Sequence, residues 1–279
     1  MANTLVNSNN QFEGKYIMNK IDLNQRTAIV TGGAKGIGYA ITERLIKSGA
    51  NVMVWDIDSE RLNETEGLLR THGKILVETV DVTDLAAISS ASKKSLEILG
   101  KIDILINNAG GPPPGQFRDW TREDWIKAID ANMLTAIELI KSTVDEMISN
   151  KFGRVINITS AAVKSPISIL GLSNGARMGL TGFCAGISRD TVRDGVTING
   201  LLPGPFETDR LLGNLKVRAV AAGLSEEDMY RQAADENPAG RFGNSQEFGQ
   251  TCAFLCSVHA GFINGQNILM DGGAFRSSL

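Results

Sequence analysis

The stretch TAIVTGGAKGIG, residues 27–38, constrains the fold more than any other. An apolar, β-rich run enters a loop in which Gly32, Gly36 and Gly38 keep the spacing T-G-x-x-x-G-x-G, and a helical pattern opens directly behind it. Glycine is needed where a chain turns sharply and where backbone must approach a pyrophosphate closely. The helix start then offers free amide N–H groups and the positive end of the helix dipole. A glycine cluster alone is a weak signal, because glycines also mark ordinary turns. Here a second apolar run follows and ends at Asp56, 20 residues after Gly36. An acid at that place can accept hydrogen bonds from ribose hydroxyls. Strand, loop, helix, strand and acid together predict a dinucleotide site, with Lys35 and Ile37 inside its loop.

The rest of the chain repeats the alternation. Strand candidates are 27–30, 51–55, 75–80, 102–107, 154–159, 195–201 and 267–271. Their nearly continuous apolar runs suit strands covered on both faces. Helical patterns occupy 37–48, 59–70, 84–99, 121–149, 172–190 and 245–257. Alternation of this kind predicts right-handed βαβ units and a parallel sheet. The expected fold is therefore α/β, a three-layer, doubly wound sheet of Rossmann type with about seven strands. Residues 205–240 break the rhythm and read as a helical lid over the carboxyl ends of the strands. No repeat, linker or composition break divides residues 18–279, which are expected to form one domain; polar residues 1–17 read as a mobile extension.

Composition narrows the function classes. The net charge is -3 and no run of five like charges occurs, so neither nucleic acid nor an anionic membrane surface is an expected partner. No apolar stretch approaches the roughly 20 residues of a membrane helix, and no secretory signal opens the chain. Cys184, Cys252 and Cys256 are expected as small apolar residues in a reduced cytoplasm, since two thiols one turn apart and a distant His259 are too few for a metal site. His72 and His259 read as peripheral.

Six segments, TGGAKGIG, VDVTD (80–84), NNAG (107–110), RVINITS (154–160), INGLLPG (198–204) and GQNILMDGG (265–273), resemble in order those of the short-chain dehydrogenase/reductase family. The likeness runs from about residue 20 to 275. It implies that Asp81 and Val82 face the adenine, and that Asn108, Ala109 and Gly110 line the cofactor. It also implies that Pro203, Gly204 and Thr208 hold the nicotinamide amide, that Asn132 orders a water chain and that Ser160 holds the substrate oxygen. NAD is the expected cofactor, because Asp56 and Asp58 oppose a 2′-phosphate; Lys35 leaves NADP open. The family also implies a dimer or tetramer, and Gly175, Gly179, Gly182 and Gly186 either admit a partner helix or pack on the chain's own sheet.

The departure from the family lies at Ser173 and Arg177, where the pattern has a tyrosine thirteen residues after the serine and a lysine four residues later. Spacing of four keeps both side chains on one helix face. A serine hydroxyl is much less acidic than a phenol near pKa 10, and arginine does not readily relay protons. Ser173 also reads as a helix N-cap. Lys164, four residues after Ser160, is either a partly desolvated acid–base group or an exposed loop lysine. Tyr230 in the lid is a weaker substitute, and Tyr39 reads as packing. The segment GGPPPGQF (110–117) forms a pocket wall with Phe117 or Trp120, or a plain turn. Arg210, Arg218 and Arg231 either meet an acidic substrate or are solvated. The leading function is an NAD(P)-dependent oxidoreductase on a small-molecule carbonyl or alcohol with atypical proton delivery. The alternatives are a silent dinucleotide-binding regulator and a non-redox lyase or isomerase on the same scaffold.

Overall fold

The computed structural model describes residues 20–277. The extension expected at 1–17 lies outside the described residues. Strand β1 (Thr27–Thr31) leads through the glycine loop into α1 (Gly36–Lys47), then β2 (Asn51–Asp56), α2 (Ser59–Leu69), β3 (Ile75–Thr79), α3 (Leu85–Leu99) and β4 (Ile104–Asn107). The second half adds α4 (Arg122–Ile129), α5 (Thr135–Ser149), β5 (Gly153–Ile158), α6 (Gly171–Thr191), β6 (Val196–Pro203), α7 (Asp209–Ala222), α8 (Glu226–Asp235), α9 (Ser245–Cys256) and β7 (Asn267–Met270). The strands form one parallel sheet in the order β3-β2-β1-β4-β5-β6-β7. Val30 of β1 pairs with Val54 on one side and Ile106 on the other. The order reverses between β1 and β4, and at such a switch point the loops leaving the strands part to form a ligand crevice.

Both faces of the sheet are covered, which is why its strands are apolar throughout. On one face Ile41 and Leu45 of α1 meet Phe248 and Cys252 of α9. On the other, Leu139, Ile140 and Met147 of α5 meet Leu180 and Cys184 of α6. The three cysteines are buried, as small core residues. Among the described residues no helix is long and apolar enough to cross a membrane. Helices α7 and α8 fall within residues 205–240 and pack Leu215, Ala219 and Met229 into a small core with Phe242 of the following loop.

Two expectations change. The helix expected over 121–149 is interrupted by a π turn, Asp130–Leu134, between α4 and α5. The extra residue in such a turn redirects a side chain without ending the helix, and the turn buries Asn132. Thr135, just after it, donates to the Val82 carbonyl at 2.9 Å and ties the turn to the loop after β3. The glycines of α6 also part company. A side chain at Gly175 would press on the Trp125 ring at 2.8 Å, and one at Gly179 on Met133 Sδ at 2.7 Å. The preceding helical run, rather than the sheet, thus fills that half of the face, while Gly182 and Gly186 have open space beside them.

Candidate active site

The glycine loop is built for close approach. Gly32 and Gly36 both have φ of +55°, a region that other residues rarely adopt. A Cβ on Gly38 would collide with the Gly32 carbonyl oxygen. Asn108, at the end of β4, donates through Nδ2 to that carbonyl at 2.9 Å, and its backbone N–H donates to Thr31 Oγ1 at 2.9 Å. The loops after β1 and β4 are therefore stitched together at the switch point. Ala109 and Gly110 continue the β4 loop beside them. Lys35, exposed, stands at the N-cap of α1 with no side-chain cap, and the first turn of α1 holds no acid. By contrast Asp58, Asp84, Thr121, Thr208, Ser225 and Asn244 cap α2, α3, α4, α7, α8 and α9. The amides of α1 are left to an incoming anion, which fits a dinucleotide pyrophosphate. Ile37 packs its side chain into the core below.

Asp56 ends β2 with 7 % exposure. Its carboxylate accepts from Ala34 N and from Asp58 N, each at 3.2 Å. It thereby shapes the loop as well as presenting an acid to it. Asp81 is exposed, and two hydrogen bonds from Thr83, backbone and hydroxyl, hold its carboxyl below the usual value. On the far side, Gly204 N–H donates to the Met270 carbonyl at 2.8 Å, which fixes the bend after Pro203. Thr208 caps α7 by accepting from Leu211 N, and its Cγ2 comes within 3.5 Å of where a Gly36 side chain would start. The start of α7 thus lies against the glycine loop.

Ser173 and Arg177 face one another. Ser173 is buried at 3 % exposure in the first turn of α6, whose N-cap is Leu170. The N-cap reading of Ser173 is therefore corrected: its hydroxyl accepts from Arg177 Nη1 at 2.8 Å. Arg177 is half-buried, and burial first, the charge of Arg210 second, pushes its pKa down to about 10. It remains a cation at neutral pH. Ser160 follows β5, and its Oγ accepts from Ala162 N at 3.1 Å. That bond leaves the Ser160 O–H free to donate. Lys164 is exposed at the end of the next short turn. Tyr230 is held by Glu207 at 2.5 Å and lies edge-on to Phe242.

The sequence reading did not pair Arg210 with Arg177. Arg210, in the first turn of α7, reaches the Gly111 carbonyl at 3.4 Å. Trp120 packs on Gly115 and Gly171, edge-on to Trp125 with centroids 6.0 Å apart, while Phe117 is exposed beneath Arg118. Trp120 therefore braces the proline loop against the start of α6. The one advance signal for the arginine pair was the position of Arg210, two residues after Thr208.

A doubly wound parallel sheet with a glycine cradle at its switch point defines a Rossmann-type dinucleotide fold. Residues 32–274 match the family profile described as enoyl-(acyl carrier protein) reductase. The chain is 31% identical to a 2,3-dihydroxy-2,3-dihydro-p-cumate dehydrogenase of Pseudomonas putida, over 92% of this chain and 96% of that one. It is 32% identical to the 3-oxoacyl-[acyl-carrier-protein] reductase FabG of Escherichia coli, over 90% and 97%. The crystal structure of YwfH, an NADPH-dependent reductase involved in bacilysin biosynthesis, superposes with a TM-score of 0.85 at 28% identity, covering 90% of this chain and 99% of that one. The chain belongs to the short-chain dehydrogenase/reductase family of NAD(P)-dependent oxidoreductases.

Proposed function

We propose that the protein interconverts a carbonyl and an alcohol with NAD, using Ser160, Ser173 and Arg177 in place of the family's tyrosine and lysine. The observation that carries this reading is the Arg177–Ser173 hydrogen bond. Because Ser173 Oγ accepts from a guanidinium, its own proton is free to be donated elsewhere. The adjacent positive charge favours negative charge on the serine oxygen and on a substrate oxygen near it. Ser160 donates the second hydrogen bond to that oxygen, and the Asn132 amide, buried in the π turn, would order water behind it. Bound, the nicotinamide supplies the two-electron redox chemistry.

The cradle of Gly32, Gly36 and Gly38 would take the pyrophosphate, with Asn108, Ala109, Gly110, Pro203, Gly204 and Thr208 around it. Asp56, close to the loop amides and short of any paired cation among the described residues, favours NAD over NADP by opposing a 2′-phosphate. Asp81 and Val82 would flank the adenine. The test is NADH oxidation against a panel of small carbonyls, with calorimetric NADH titration in parallel. The expected result is turnover that Ser160→Ala abolishes while NADH affinity stays within about twofold. NADH uptake with no turnover on any carbonyl would replace this reading with a silent dinucleotide binder. Product formed without any change in NADH absorbance would point to lyase or isomerase chemistry.

A further inference from the structure

Two guanidinium groups converge on Gly111. A Cβ built there would lie 3.2 Å from both Arg177 Nη1 and Nη2, and 3.3 Å from Arg210 Nη1. Glycine keeps this small space open, and the guanidiniums border it from α6 and from the lid. Neither arginine forms a salt bridge among the described residues. Asp209, next to Arg210, adds to the field that Glu64 sets on Arg61 of α2. Two like charges held together without an acid leave donors and positive potential to be satisfied from outside the chain. Arg177 spends Nη1 on Ser173, and Arg210 gives one 3.4 Å bond to a carbonyl. Several N–H donors of the two planar forks therefore remain, in the geometry that suits a carboxylate.

We propose that Arg177 and Arg210 clamp the carboxylate of an acidic carbonyl or hydroxy-acid substrate above Gly111, beside Ser173. This rests on the oxidoreductase reading for the words carbonyl and hydroxy acid, and on geometry alone for the carboxylate. The cofactor's phosphates have a separate seat at the uncapped start of α1, which leaves the arginine pair to the substrate. Arg210 belongs to α7, so the acid that it binds also ties α7 to the loop after β4. The neighbouring Ser173 then meets an oxygen carried a bond or two from the carboxylate.

The test is calorimetric titration of malonate, and of neutral malonamide, into the NADH-loaded full-length protein. Malonate is expected to bind at least tenfold more tightly than malonamide. Arg210→Met should remove that preference and leave NADH affinity within about twofold. Gly111→Ala, whose methyl would occupy the gap and press on both guanidinium groups, should weaken malonate about tenfold with both arginines retained. Equal affinity for malonate and malonamide overturns the proposal. So does an Arg210→Met protein that loses NADH but keeps malonate, because the arginine would then serve the cofactor's phosphates. Malonate uptake with no carbonyl turned over would leave the clamp standing while the oxidoreductase reading fails, and turnover without malonate preference would do the reverse.

Discussion

Arg177 Nη1 donates to Ser173 Oγ at 2.8 Å, one turn back along α6, so the two residues that the sequence sets apart from the expected tyrosine and lysine form a single hydrogen-bonded unit. The pair keeps a cation where the family has one, but sets a hydroxyl of low acidity in front of it. The cation is costly to keep. Its pKa falls to about 10 through burial and then through Arg210, well below that of an unfolded arginine. The folded state therefore binds the proton less tightly, and the group opposes folding at every pH below about 10, with relief only as pH rises through that value.

Arg177→Met is accordingly expected to separate stability from activity. The apolar side chain fills much of the same volume without a charge to desolvate, and such replacements are often neutral or stabilising. Discounted for partial solvent access, the gain is on the order of 1 kcal/mol, or roughly 2–4 °C in Tm for a chain of this size. Carbonyl turnover should fall about a hundredfold, as for removal of one charge-stabilising donor. A calorimetric scan at neutral pH together with kcat checks both; a lower Tm with unaltered kcat would contradict both halves.

The double change Ser173→Tyr with Arg177→Lys asks whether the scaffold is otherwise ready for ordinary reduction. A phenol is a far better acid than an alkyl hydroxyl, and a lysine beside it favours the phenolate. The expected outcome is a kcat/KM at least about tenfold above the parent on small neutral ketones. No gain, in a variant that still binds NADH, would mean that the pocket above the serine is closed to such substrates.

Two glycine substitutions are expected to act in opposite directions. Gly38→Ala forces a methyl into the Gly32 carbonyl oxygen, so NADH affinity should collapse and stability should fall by about 1–3 kcal/mol. Gly182→Ala meets nothing within 4 Å, in the middle of α6. It should raise stability by about 0.5–1 kcal/mol through the lower entropy of the unfolded chain. Denaturant midpoints and NADH fluorescence titrations measure both. A destabilised Gly182→Ala protein would show that another copy of the chain occupies that face.

The sheet was legible because its signals are local: every strand is a short apolar run, and the seven observed strands fall on the seven expected ones. The glycine loop was legible because its constraints are steric and therefore written in residue type. The π turn at Asp130–Leu134 was not, since MLTAIEL continues the apolar helical pattern through it and nothing in residue type marks the added residue. Ser173 misled as a cap because Ser-Asn-Gly resembles a helix start, whereas the preceding 3-10 turn, Ser168–Leu170, had already brought the chain into helix. The meeting of Arg177 with Arg210 joins residues 33 positions apart, on α6 and the lid, and no periodicity carries such a contact.

Acid stability should depend on Glu247. Its carboxylate accepts from both Nη atoms of Arg241 and from Asn244 N, which together hold its pKa down at about 2, with the Arg241 bonds first in effect. The folded value lies below the unfolded one near 4.3, so the stabilisation is present above about pH 4.3 and is lost as pH falls toward about 2. The group is well exposed to solvent, which limits the effect to about 1 kcal/mol or less. Glu247→Gln should lower the urea midpoint at neutral pH, and the gap between variant and parent should close as pH falls. A gap that persists at the acid end would place the loss in the capping geometry of α9 rather than in the charge.

In the proposed function Asp56 sets the cofactor choice, and its two backbone acceptor contacts decide how that can be tested. Asp56→Ala would release both Ala34 N and Asp58 N, confounding preference with a disturbed loop. Asp56→Asn keeps one oxygen to accept and removes the negative charge, so the loop retains part of its support. The charge is what opposes the 2′-phosphate, and loss of a close unfavourable pair at partial burial is worth on the order of 1–2 kcal/mol. The ratio of kcat/KM for NADH over NADPH should therefore fall about tenfold or more, with NADPH gaining and NADH losing. Nearby Lys35, exposed in the loop, then becomes the nearest cation for the phosphate, and adding Lys35→Met to Asp56→Asn should take back part of the NADPH gain. Cofactor kinetics on the two variants settle it: an unchanged ratio in Asp56→Asn would confine the aspartate to shaping the loop.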